Sequence, residues 1–348
     1  DLEGMKDFCL ILDLCTEADD LLNEFQNITG ERVAGYYNLN DKTLTIIKDG
    51  DTFEAQDWLT YAHEYTHALQ DDRFDLSSME SEEDNFDASK ALTAFIEGDA
   101  QLVEYLFYET LPTQQQTDLS IIRDEIFEEF SESALMADAP RILSETFGWE
   151  YANGLGFIFR MYLEGGFDAV NTAYENPPLS TEQILHFDKY LSGDAPHAVS
   201  LPDLGAALGD TWQESDTGVM GELLTGIYLG TFTSEDTAEL ASEGWGGDRY
   251  IVLKDDQDRR LATMLYSWDS EQDAAEFFQA YLEFVEVKSE GLWNVITFDF
   301  NERMWQGQDI GVYLRATGSE TLVIVGPDEE TVRAVASEFP LLDTEPSR

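Results

Sequence analysis

Carboxylates outnumber basic side chains by 72 to 19, and the resulting formal charge of −53 on 348 residues constrains this chain more than any motif it carries. A fold holding such a surplus must keep it outside, hydrated and spread apart. Apolar material suffices for an interior: 43% of residues are hydrophobic, which supports a sizeable core and argues against wholesale disorder. The same surplus excludes a surface that tracks phosphates, so nucleic acid is not an expected partner. No apolar run approaches the roughly 18 residues of a membrane span. The longest near the start, Phe8 to Cys15, is broken by Asp13. Seven Lys and 12 Arg against acids along the whole length suit a protein living in high salt. There the Debye length falls to about 3 Å and self-repulsion fades. An ordinary acidic secreted protein is the alternative.

Two cysteines, Cys9 and Cys15, are too few for a disulfide framework and lack metal-site spacing. They can pair, but in an apolar stretch they read first as small buried residues. The sequence opens on Asp1 without a Met, so removal of an upstream segment such as a signal peptide is an expectation. Secretion or display at the cell surface follows, with the cytoplasm of a salt-accumulating cell as the alternative.

The pattern of residues predicts an α+β chain in two domains, 1–199 and 200–348, divided where Gly, Pro and Ser cluster between Leu191 and Leu204. The first is mostly helical with a small sheet. Its strands run from Arg32 to Leu39 and Thr43 to Lys48. A strong helix from about Glu54 to Arg73 follows, with Trp58, Leu59, Ala62, Tyr65, Ala68 and Leu69 expected inward. A second runs from about Ala88 to Thr110, and further helical patterns cover roughly 114–135 and 140–164. The second domain reads as a helix near Gly218 to Thr231, then strand-like runs interrupted by a helix at about 270–286. A last helix lies at about 328–338. That order predicts an antiparallel sheet with two helices on one face. Gly244 to Gly247 reads as a tight turn over Trp245, without the Lys of a phosphate loop. The acidic clusters Glu80 to Asp84 and Glu125 to Glu129 lack calcium-loop spacing and read as solvated faces.

The sharpest local signal is His63-Glu64-Tyr65-Thr66-His67. On a helix, residues four apart stack on one face, so both imidazoles can share a metal, and Glu64 beside them can take a proton from an activated water. Four histidines in 348 residues make a chance HExxH worth only about 0.005 occurrences. A catalytic zinc needs a third protein ligand and leaves its fourth position to water. Glu97, in Phe95-Ile96-Glu97-Gly98-Asp99-Ala100, is the best placed. It breaks from the apolar stripe of its helix, beside a mid-helix glycine that costs about 1 kcal/mol against Ala and so implies close approach of another helix or a ligand. Glu104, two turns on, reads as a generic surface charge.

This set resembles the gluzincin zinc metallopeptidases, in which HExxH on one helix is followed by a Glu ligand on the next, often as Glu-Gly-x-Ala. Here those elements are His63, Glu64 and His67, then Glu97-Gly98-Asp99-Ala100. The resemblance covers about residues 32–110 and implies a small sheet above the active-site helix where a peptide can pair. The phrases His63 to Asp71, Ser180 to His186 and Gly244 to Tyr250 look like an uncharacterised prokaryotic branch. Many gluzincins carry an Asp four residues after the Glu ligand to orient a ligating His. Gln101 stands there, so that work falls to Asp99 or Asp71.

Ser180 and Gln183 form a capping box, placing His186 about two turns into a helix. Some gluzincins hold the oxyanion of the tetrahedral intermediate with a downstream His or Tyr, a part His186 or Tyr190 could play. The expected function is thus a zinc-dependent peptidase acting on peptide or protein substrates. His63, His67 and Glu97 bind Zn²⁺, and Glu64 and His186 are the catalytic candidates. A non-catalytic surface or binding protein that keeps a metal site, and a metal hydrolase of other amides or esters, are the alternatives. Oligomeric state is open at this stage.

Overall fold

The computed structural model describes residues 5–30, 34–48, 50–79, 85–131, 136 and 138–339, and the chain is α+β. It divides into two compact units: residues 18–82 with 88–193, and residues 194–348 with 1–17 and 83–87. The Glu80 to Asp84 cluster and the side chains of Glu125 to Glu129 lie outside the described residues.

The first unit holds α2 (Leu21–Gly30), a two-stranded hairpin of β1 (Gly35–Asn38) and β2 (Thr43–Ile46), and α3 (Ala55–Phe74). Next come α4 (Phe86–Thr110), α5 (Thr113–Ser131), α6 (Arg141–Thr146), α7 (Trp149–Ala173), α8 (Thr181–Leu185) and α9 (Phe187–Ser192). Its core joins Ala91, Phe95 and Leu102 of α4 to Phe157, Ile158 and Met161 of α7, with Ile184 and Phe187 beneath. Gly165 and Gly166 break α7 near its end, where Gly166 adopts φ 65°. The α3 helix departs from expectation. Trp58, Tyr65 and Leu69 are about half exposed, whereas the side chains it buries are Glu64, Thr66, Gln70 and Asp71. The apolar spacing was real, but the polar face is the one the neighbouring elements cover.

The second unit is a seven-stranded antiparallel sheet in the order β3-β4-β5-β9-β8-β7-β6. The strands are β3 (Gln213–Gly218), β4 (Trp245–Lys254), β5 (Arg260–Trp268), β6 (Asn294–Asp299), β7 (Glu302–Gln306), β8 (Gly311–Thr317) and β9 (Glu320–Gly326). Its helices are α1 (Met5–Ile11), α10 (Gly205–Leu208), α11 (Gly221–Leu229), α12 (Glu235–Ser242), α13 (Glu271–Lys288) and α14 (Glu329–Ala336). The helices that follow β5 and β9, α13 and α14, occupy opposite faces of the sheet rather than one. Phe277 of α13 packs on Tyr266 and Trp268, while Val332 and Val335 of α14 pack with Leu322 and Ile324. Adjacent strand residues point to opposite faces, so Tyr266 and its neighbour Leu265, which pairs with Leu322, separate the two helices.

Residues 1–17 are grouped with this sheet, although the sequence suggested the other domain. Asp7 accepts from Arg260 Nε at 2.5 Å and pairs with Lys254 at 3.5 Å, and the Phe8 ring lies 4.4 Å from that of Tyr250. Cys9 and Cys15 are disulfide-bonded, with Cα atoms 5.4 Å apart, so Cys9 is buried and also paired. The Gly244 to Gly247 phrase is turn and strand together. Gly244 takes φ 80°, and β4 begins at Trp245 with an irregularity before Gly247. No helix among the described residues is long and apolar enough to cross a membrane.

Candidate metal centre

The α3 helix starts where the Glu54 N–H donates to Asp57 Oδ2 at 2.7 Å, and it ends at Asp75, whose left-handed backbone sends its N–H to Asp71 O. Twenty helical residues between these stops carry His63 and His67 one turn apart on one face. The hairpin is tied to the same helix. Tyr37 Oη donates to Asp71 Oδ2 at 2.8 Å, and Lys42 Nζ reaches that oxygen at 2.5 Å. Asp71 therefore anchors the sheet rather than orienting a histidine. The Tyr37 backbone also favours the charged form of the Glu64 carboxylate.

Glu97 is brought in by helix crossing. A Cβ on Gly98 would sit 2.3 Å from backbone atoms of Gly154, and one on Gly154 would sit 2.0 Å from Ala94 O. The α4 and α7 backbones touch there because neither residue has a side chain, which is the close approach that a mid-helix glycine implied. One residue before that contact, Glu97 faces α3.

Three donor atoms converge. His63 Nε2 and His67 Nε2 are 3.1 Å apart, and Glu97 Oε2 lies 3.2 Å from the first and 3.6 Å from the second. A tetrahedral ion with bonds of about 2.0–2.1 Å sets its ligand atoms about 3.3–3.4 Å apart, so the triangle has the dimensions of one face of such a site. Among the described residues this is the one group of three or more His, Cys, Asp or Glu side chains able to share a cation. The outer ring nitrogens are turned away. His67 Nδ1 donates to Gln70 Oε1 at 2.9 Å, and His63 Nδ1 faces Glu104 Oε2 at 3.3 Å. With the outer nitrogens turned to these acceptors, both Nε2 atoms and a carboxylate oxygen point at one spot. That arrangement needs positive charge at its centre, and the donor set fits a borderline-soft divalent ion.

The electrostatics state the same need. Burial opposes a charge on His63, but Glu104 and Glu97 outweigh it and raise its pKa to about 10. Burial would raise the Glu97 carboxyl, yet His63 and His67 hold it down at about 2. Glu64, buried beside the triangle and outside it, is pushed up, mainly by burial.

Support for the histidines differs from expectation in one respect. Asp99 acts at one remove: it accepts from Gln70 Nε2 at 2.9 Å and from Tyr174 Oη at 2.8 Å, so it fixes the amide that fixes His67. For His63 the partner is Glu104. It stands seven residues after Glu97, two helical turns along the same face, and its carboxylate faces His63 Nδ1 across an ion-pair distance.

His186 does not belong to the triangle. It caps the junction of α8 and α9, next to the core residue Phe187. Tyr190 donates its hydroxyl to Asn176 O at 3.0 Å. A residue the sequence reading missed, Tyr151, comes closer. It lies in the first turn of α7, one turn before Gly154, with its hydroxyl in the field of Glu97, Glu150 and Glu64. Burial, then those carboxylates, raise its pKa strongly. Nothing local marked it, because it depends on the α4–α7 crossing. Beside Glu104 a cavity of about 480 Å³ opens, walled by Leu59, Tyr105, Tyr108, Leu119 and Leu155.

Compared with known proteins, residues 209–336 match a domain of unknown function (DUF8575), a region that covers all seven strands of the larger sheet and does not include the triangle. No curated protein and no solved structure matches the chain.

Proposed function

We propose that this chain is a zinc-dependent hydrolase of peptide bonds, with His63, His67 and Glu97 holding the ion and Glu64 as the general base. The observation that carries this reading is the convergence of two imidazole nitrogens and one carboxylate on a point, with a second buried carboxylate beside them that is no part of the triangle. A structural site needs no such spare carboxylate. Zinc bound there supplies Lewis acidity towards a water and a peptide carbonyl.

Glu64 takes the proton of the attacking water and hands it to the departing amine. Its raised pKa brings it nearer neutrality, where one group can both accept and release a proton. The Tyr37 backbone steadies its charged form. The Tyr151 hydroxyl, in the field of Glu97 and Glu64, is the candidate to turn its single proton towards the oxygen on which negative charge gathers as the carbonyl is attacked. The hairpin favours peptides over small esters, because its outer strand edges can take an extended chain. The cavity beside Glu104 can accept a large apolar side chain of that substrate. The Cys9–Cys15 disulfide supports an oxidising compartment, and with it export.

The test is Glu64→Gln. The variant keeps all three ligands, so it should bind zinc like the parent while peptide hydrolysis falls about 10²–10⁴-fold, the range of a lost general base. Hydrolysis at the parent's rate, or a parent that purifies without metal and binds none, would reject the assignment.

A further inference from the structure

The two edges of the seven-stranded sheet are built in opposite ways. At one edge, β3 reads Gln-Glu-Ser-Asp-Thr-Gly and presents Glu214 and Asp216, the usual protection of an unpaired strand. At the other, β6 pairs only with β7, so its outer side has no strand partner among the described residues. From Gly291 to Phe298 this segment carries no charged residue, in a chain where 26% are charged. Its apolar side chains face solvent: Leu292 is 78% exposed, Val295 52%, Ile296 40%, Phe298 80% and, just beyond the strand, Phe300 92%.

We propose that this edge is the surface through which two copies of the chain associate, β6 against β6 about a two-fold axis. Phe298, Phe300 and Leu292 together present on the order of 400–500 Å² of apolar surface per copy. Val295 and Ile296 bring that towards the ~800 Å² per partner of a standard interface. A two-fold contact places the same patch on both sides, and so joins two like-charged molecules along a segment that carries no charge from Gly291 to Phe298, with Asp299 and Arg303 at its end. The ring of Phe298 is held outward by Arg303, whose guanidinium lies 3.9 Å from its centroid on the paired strand. The register shift between Val295 and Thr297 shortens the regular ladder, so the side chains rather than a long run of backbone bonds carry the contact. An anionic membrane surface is the poorer occupant for a molecule of net charge −53.

Sedimentation equilibrium of the full chain in about 2 M salt, where the Debye length is below ~3 Å, tests this. The expected mass is twice 39.3 kDa, with the dimer weakened at least about tenfold when salt is lowered to ~0.2 M. Phe298→Asp with Phe300→Asp should give a monomer with unchanged circular dichroism and melting point, because both rings lie outside the core; Leu292→Glu should weaken the dimer in the same direction. A parent that is monomeric in molar salt overturns the proposal. So does a dimer that both variants leave intact, or a monomer that floats with phosphatidylcholine vesicles through this patch.

Discussion

Glu104 allows the metal centre to be probed without touching a ligand. It faces His63 Nδ1 at 3.3 Å, and Asp99 supports His67 through Gln70, so the two histidines proposed as ligands stand against different carboxylates. Glu104→Gln and Asp99→Asn should each lower zinc affinity about 10–100-fold, the usual effect of losing a ligand's outer partner. Glu97→Ala removes a ligand and should cost well beyond that range. Competition with a chromogenic chelator measures all three. Equal affinities for the Glu97 and Glu104 variants would remove Glu97 from the metal. A Glu104 variant that binds like the parent would reduce its contact with His63 to a surface charge, which is how its sequence position alone reads. His63, Glu64 and His67 were legible because their spacing is local and needs only a helix. Glu104 and Tyr151 were not, since one depends on the direction of α4 past α3 and the other on where α7 crosses α4.

The element that sets this geometry is the crossing of α4 and α7. With a Cβ placed 2.0 Å from Ala94 O, Gly154→Ala cannot be absorbed by a side-chain shift, and the two helices must part. The expected loss is at least the ~1–3 kcal/mol of ordinary overpacking, read as a lower denaturant midpoint. The same movement draws Tyr151 from Glu97, so activity per folded molecule should fall too. Tyr151→Phe is the companion variant: it removes the hydroxyl, leaves the crossing intact, and should lower kcat at unchanged stability. A Gly154→Ala protein as stable as the parent would show that the helices do not need this contact. The mid-helix glycine was readable as a close approach, but its partner was not, because Gly154 lies 56 residues away in a segment with no motif. The face of α3 misled for a related reason. Helical period shows which residues share a face but not which face is covered, and here the hairpin and α4 cover the polar one. Order of elements likewise gave the antiparallel sheet, while the faces taken by α13 and α14 depend on how each connection crosses it.

Across the whole molecule, the 19 basic residues cannot balance 72 acids, and several of them are committed to particular carboxylates: Arg260 and Lys254 to Asp7, Arg259 to Asp255, Lys42 to Asp71. The remaining acids repel one another over the ~10 Å Debye length of 0.1 M salt and are screened at ~3 Å in 1 M. Melting temperature should therefore rise between about 0.05 M and 2 M salt, by on the order of 10 °C if screening is worth a few kcal/mol. Proton binding should act in the same direction over a limited range. Asp248 is fully enclosed, and burial outweighs the N–H groups of Met220 and Gly221 to raise its pKa to about 6. Its protonated form is favoured by the fold, so the stability it contributes is present at low pH and lost as pH rises through about 6. Asp7, Asp71 and Asp255 have the opposite sign. In each, burial is outweighed by cationic partners or hydrogen-bond donors that lower the folded pKa, so their contribution holds above the ordinary Asp pKa near 3.9 and is lost as pH falls below it. In dilute buffer stability should then increase on acidification from neutrality to about pH 5, and collapse below about pH 4. In molar salt the first of these changes should shrink to the part that Asp248 supplies, and Asp248→Asn should abolish that remainder. Thermal melts on a grid of salt and pH separate the two effects. A melting point flat across the salt series at pH 7 would mean that the surface acids do not repel enough to matter, and would remove the high-salt interpretation of this composition.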